Sequence, residues 1–189
     1  MFLFYNTLLR IAIKNQSKNE KKQDLGIIFI GFAVLMFGMD LMSDSMKSVR
    51  TLPGFDTFLA SLTSPIIALL VSTVFTGVIQ SSAATIGIVQ ALALSGGITW
   101  QMAIPLVLGA NIGTCVTALI SSVGTNKNAK RVVIMHFFVN VFGSALCMII
   151  MYVMKFMSIS VLIAEIDMVG VAIVHTLFNV VTTIVLFPI

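Results

Sequence analysis

Gly77-Val78-Ile79-Gln80-Ser81-Ser82-Ala83-Ala84-Thr85 sets a carboxamide and a group of hydroxyls inside a long apolar run. Hydrocarbon offers such groups no hydrogen-bond partners, so each must be satisfied within the protein or by something it binds. Upstream, the apolar run opens at Pro65 and is too short to cross a bilayer comfortably before Gln80. A second apolar piece, 83–94, follows and is closed by Ser95-Gly96-Gly97. Two half-length helices joined by a small polar tip predict a re-entrant hairpin over 64–95, because a bilayer core needs ~20 apolar residues to span. Backbone of this kind is tolerated at depth only where protein buries it or a cavity adjoins it. One very long tilted helix is the competing reading.

Composition supports a membrane setting. The chain is 58% hydrophobic and 10% charged over 189 residues, far from ordinary soluble proportions. No short alternating segments of a transmembrane β-barrel are present. The sequence therefore predicts an all-α integral membrane protein. An N-terminal segment and basic linker occupies 1–24, followed by a membrane region over 25–189. Within that region we expect a span at 25–44, the hairpin at 64–95, a broken span at 98–123, and spans at 131–155 and 169–189. Pro53-Gly54 breaks the chain, and 55–62 reads as a short amphipathic surface helix. Residues 2–13 lack the features of a signal peptide.

The net charge of +4 marks no nucleic-acid binder. Arg10, Lys14, Lys18, Lys21 and Lys22 precede the first span, and Lys127, Lys130 and Arg131 follow the broken one. With the hairpin returning to its own side, both clusters fall on one face. That face is then cytoplasmic, along with the N-terminus and 124–131. Lys47, Arg50 and Lys155 fall outside. A straight helix over 64–95 would split the clusters between faces. Contact of these basic residues with anionic lipid is compatible with either layout.

The polar residues suggest an ion site. Gln80, Ser81, Ser82 and Thr85 sit where the second half-helix begins, and a helix N-terminus with hydroxyl donors suits an oxyanion. Hydroxyl and carboxamide oxygens can also ligate sodium. Gly109-Ala110-Asn111-Ile112-Gly113-Thr114 predicts unwinding, with Asn111, Gly113, Thr114 and Thr117 supplying ligands near free carbonyls. The competing readings are close packing through small residues and a glycine kink. His136-Phe137-Phe138-Val139-Asn140 and His175-Thr176-Leu177-Phe178-Asn179 share the pattern H-x-x-x-N. Each sets an imidazole and an amide on one helical face. They line a pathway or, more simply, fix packing. Cys115 and Cys147 read as packing residues. No nucleophile–base arrangement stands out, so no enzyme is expected.

Together, Gln80-Ser81-Ser82-Ala83-Ala84-Thr85, Gly109 to Thr114, the 131–140 segment and 175–179 resemble the sodium/phosphate cotransporter family, of the type II kind in its bacterial branch. The resemblance covers about 25–189. It implies two inverted repeats, each with a Gln-Ser-Ser-Ser hairpin, and sodium and phosphate bound between them. Gln80, Ser81 and Ser82 match that signature. Ala83 stands where the family usually has a third serine, so one hydroxyl ligand is missing. This chain carries one signature and resembles the second repeat, one half of an inverted-repeat transporter. The expected partners are inorganic phosphate, sodium, the bilayer, and a first repeat or another copy, with no nucleic acid. Sodium is the expected coupling ion, held at Gln80, Ser81, Ser82, Asn111 and Thr114. The resemblance thus implies sodium-coupled phosphate transport across the plasma membrane, in a larger or paired assembly. The alternatives are a transporter or channel for another ion, or a non-transporting membrane subunit.

Overall fold

The computed structural model describes the chain over residues 20–186. Expectations for 1–19 and for the end of the last span lie outside the described residues. The elements in chain order are α1 (Glu20–Val49), α2 (Phe55–Ser61), α3 (Pro65–Ile79), α4 (Ser82–Leu94), α5 (Trp100–Ser121), α6 (Lys127–Phe156), a 3₁₀ turn (Ser160–Ile163) and α7 (Met168–Leu186). No strand occurs among the described residues; the nearest approach is one isolated bridge between Thr99 and Glu165. Among the described residues four helices are long and apolar enough to cross a membrane: α1, α5, α6 and α7. The protein is thus an all-helical, multi-pass membrane protein.

The chain divides into two compact units, 1–45 and 46–189. In the first, α1 carries exposed apolar side chains such as Ile27, Ile28, Phe32 and Val34, as a helix facing lipid would.

The second unit is organised around α5. Over half of its apolar window is buried (56%), against 17% for α6 and 22% for α7. α3 lies alongside α5 and runs the same way. Gln101 Nε2 donates to Thr63 O at 2.8 Å, and Ser72 Oγ donates to Leu106 O at 2.5 Å. Farther along, Gly113 lies against Thr73 and Thr76, and Gly77 against Val116. α3 presents the small buried stripe Ala68, Ser72 and Thr76 to this contact. A Cβ at Gly113 would stand 2.6 Å from both Thr73 O and Thr76 Cβ; one at Gly109 would stand 2.8 Å from Ser72 Cβ. Two glycines one helical turn apart therefore let the backbones touch, the small-xxx-small mode of helix association.

This corrects the expectation of a broken span at 98–123. α5 is one continuous helix from Trp100 to Ser121. Gly109 and Gly113 stay helical because the α3 backbone occupies the space that side chains would take. Pro105 lies within α5 and, lacking an N–H, leaves the Gln101 carbonyl without its usual partner.

Between α3 and α4 the chain reverses. Thr76 and Thr85 would be about 13 Å apart on a continuous helix, yet their hydroxyl oxygens are hydrogen-bonded at 2.8 Å. Gln80 makes the turn in left-handed backbone at φ 59°. Ser81 then caps α4, its Oγ accepting from Ala84 N at 3.2 Å. The outer ends of both helices meet near the start of α5: Thr63 bonds Gln101, and Gly97 leads through Thr99 into Trp100. Arg50 donates to the carbonyls of Ser95 and Gly96, covering the C-terminal end of α4.

The connection after α6 closes the same end. Trp100 N donates to Ala164 O, and Ile166 N to Ile98 O, both at 3.2 Å. Asp167 Oδ1 then accepts from Gly170 N at 2.7 Å and starts α7. α7 runs parallel to α5, and α6 returns between the two ends.

Candidate functional site

Among the described residues of the second unit, the buried polar side chains are Ser72, Thr76, Thr85, Asn111, Asn140, Ser144 and Thr182. Several of them border a cavity of about 370 Å³. Its lining includes Ser82 from α4, Asn111 and Thr114 from α5, His136 and Asn140 from α6, and His175, Asn179, Thr182 and Thr183 from α7. Asn111 sits about 16 Å along a helix of about 33 Å, so the cavity lies at mid-span level. The hairpin tip reaches the same region, since Gly77 packs against Val116.

Each helix delivers its residues for a legible reason. Ser82 occupies the first turn of α4, ahead of the first intrahelical bond, Thr85 N to Ser81 O. Its N–H and that of Ala83 therefore belong to the unpaired set at a helix start, with the positive end of the helix dipole. Asn111 and Thr114 share a face of α5 because residues three apart do so. The two H-x-x-x-N motifs stand on facing helices, and one polar turn of each borders the cavity.

Hydrogen bonds fix much of this lining. Asn140 Nδ2 donates to His136 O at 3.0 Å, and Asn179 Nδ2 to His175 O at 2.8 Å. Each motif thus satisfies its own amide within its helix. Thr114 Oγ1 donates to Ala110 O, and Thr117 Oγ1 to Thr114 O. His175 Nε2 and Asn111 Oδ1 meet at 3.2 Å across α5 and α7. Asn111 Nδ2 is buried with no hydrogen-bond partner, and so is Ser144 Oγ. A buried carboxamide nitrogen without an acceptor is costly, about 1–3 kcal/mol, so it invites a ligand or a bound water. Among the described residues lining the cavity none is Lys, Arg, Asp or Glu.

Residues 34–175 match the Na+/Pi-cotransporter family. The chain belongs to this family. Uncharacterized protein YqeW of Bacillus subtilis (strain 168) is 34% identical over 127 residues, 66% of this chain and 41% of that protein. The Escherichia coli (strain K12) protein named "Putative inorganic phosphate export protein YjbB" is 28% identical over 61% of this chain and 21% of its own length. Human Sodium-dependent phosphate transport protein 2B is 37% identical over 41% of this chain and 12% of its own length. The chain thus spans about two fifths or less of each of these relatives. No solved structure matches it significantly.

Of the residues expected to form the site in this family member, Ser82, Asn111, Thr114, His136, Asn140, His175 and Asn179 come together at the cavity. The others stand apart from its lining. Gln80 is exposed at the C-terminal end of α3, and Ser81 caps α4. Thr85 is buried against Thr76, and Gly113 is buried in the α3–α5 seam. Thr117 is half-buried, one turn beyond Thr114. Ala83, in place of the usual serine, is exposed. Sequence reasoning missed Thr182 and Thr183, which also line the cavity. For the threonines the signal was present, since Thr183 lies one turn beyond Asn179 on the same helix.

Proposed function

We propose that this chain forms one half of a sodium-coupled phosphate transporter, with phosphate taken at the mid-span cavity. The observation that carries the reading is that cavity itself: Ser82, Asn111, Thr114 and two imidazole–amide pairs converge in a chain that is otherwise apolar. The start of α4 offers unpaired N–H groups and the Ser82 hydroxyl, a donor set for a tetrahedral oxyanion. The cavity has no fixed cation among its described lining, so a dianion there needs a companion charge, and sodium supplies it. Gln80, Ser81, Ser82 and Thr114 are the proposed oxygen ligands of that ion. Because Gln80 and Ser81 lie outside the lining, their share in a sodium site requires a second wall.

We take the α3–α4 hairpin to be re-entrant, with its tip inside the bilayer. Its two outer ends lie together at the start of α5, which supports this. The second wall is a repeat of opposite orientation, either another part of a longer chain or a partner. Lys127, Lys130 and Arg131 mark 124–131 as the cytoplasmic end of a plasma-membrane protein.

The test is uptake of labelled phosphate into vesicles holding the protein in its full assembly, with sodium or choline outside. Sodium-dependent accumulation, not matched by sulfate, is the expected result. Phosphate movement that ignores the sodium gradient would remove the coupling, and equal transport of sulfate would remove the phosphate assignment. The relatives' names point to both export and sodium dependence, so vesicles loaded on either side should be compared.

A further inference from the structure

We propose that His175 is a positioning residue that turns Asn111 into a hydrogen-bond donor for the anion. This rests on the function proposed above and goes further, because it assigns the sign of the ligand that Asn111 serves. A carboxamide has two faces. Its oxygen can hold a cation, and its NH₂ can hold an anion. The choice is made by whatever engages the other half. Here His175 Nε2 lies 3.2 Å from Asn111 Oδ1; an amide oxygen only accepts, so this orientation of the carboxamide requires the tautomer with its proton on Nε2. The oxygen is then engaged, and the amide offers its nitrogen. That nitrogen is buried and without an acceptor, on a residue only 7% exposed that borders the cavity.

The opposite arrangement is chemically available. A His175 protonated only at Nδ1 would accept from Asn111 Nδ2, leaving Oδ1 for a sodium ion. One imidazole tautomer thus makes Asn111 part of an anion site, and the other makes it part of a cation site. Asn111 is therefore removed from the sodium ligands and assigned to the phosphate. Asn111 lies on α5 between Gly109 and Gly113, and the group that engages its amide stands on α7. Neither motif supplies this from its own asparagine: Asn140 donates to His136 O and Asn179 to His175 O.

The experiment uses the full chain in lipid nanodiscs, in the assembly it forms there. The chain has two histidines, so ¹⁵N-histidine labelling of a His136→Gln variant leaves a single imidazole to observe. The proton is expected on Nε2 of His175. Phosphate, sulfate and sodium binding are then titrated separately. His175→Phe is expected to weaken phosphate about tenfold, the loss of one oriented hydrogen bond. His175→Gln retains an N–H donor and should stay within about threefold of wild type. Sodium binding should be unchanged in both. Asn111→Asp should abolish phosphate binding and keep sodium.

A proton on Nδ1 alone overturns the positioning role. So does equal weakening of phosphate in the Phe and Gln variants, or phosphate binding that survives Asn111→Asp. The tautomer reading and the Gln variant decide the matter even if His175→Phe fails to fold. A wild-type chain that binds sodium but neither phosphate nor sulfate overturns the function proposed above and the ligand assigned to Asn111 together. Those outcomes are separate from a wrong tautomer in a chain that does bind phosphate.

Discussion

Gln80 holds left-handed backbone at φ 59° without being glycine. For a side chain that can use a Cβ, this conformation costs about 1 kcal/mol or more. Glycine is the usual residue at such a helix end. Gln80→Gly should therefore keep or slightly raise thermal stability, while sodium-dependent uptake falls at least about tenfold if the carboxamide ligates an ion. Differential scanning fluorimetry and vesicle uptake on one preparation read both. Unchanged uptake would make Gln80 a turn residue only. Thr76→Val removes the partner of Thr85 at the neck of the hairpin. We expect a loss of about 1 kcal/mol in denaturant or thermal unfolding. The signature around Ser82 was legible in the sequence because polar atoms in an apolar run must have a purpose. Thr76 was not, since a lone threonine in such a run is common and only the fold reveals that it faces Thr85. His175 was visible as a candidate, but its partner Asn111 is distant in sequence and could not be paired with it.

At the level of elements, the reversal between α3 and α4 and the short helix α2 were readable from run lengths and from Pro53, Gly54 and Pro65. The helix that carries the first expected span, 25–44, continues through Asp40 and Asp44 to Val49. The continuity of α5 was misread for a physical reason. Glycine lowers helix propensity by about 1 kcal/mol relative to alanine, so a local reading favours a break at Gly109 to Gly113. Close approach of α3 outweighs that preference, and the neighbour cannot be seen from α5 alone. Gly113→Ala should therefore destabilise the protein by about 1–3 kcal/mol, despite alanine's better propensity. A gain in melting temperature would mean that the seam is loose. The proposed sidedness can be tested by single cysteines in a chain lacking Cys115 and Cys147. Thr63→Cys and Ser95→Cys should react with an impermeant maleimide from one side of sealed vesicles, and Asn128→Cys from the other. Labelling of 63 and 95 from opposite sides would refute a re-entrant hairpin.

For the whole molecule, the proposed sidedness rests on charge. Lys127, Lys130 and Arg131 sit at the end of the second unit where α5 gives way to α6, with no acidic residue in 122–131. At the opposite end, Arg50 and Lys155 are accompanied by Asp56, Glu165 and Asp167. The cavity between them has neither sign of fixed charge in its described lining. A pocket furnished with its own lysine could seize an anion unaccompanied and let it slip downhill. Here a lone dianion would shed its hydration for dipoles alone, at a cost of several kcal/mol. Leak is thus suppressed by electrostatics rather than by a gate: when choline replaces every sodium ion at neutral pH, preloaded phosphate should stay trapped in the vesicles.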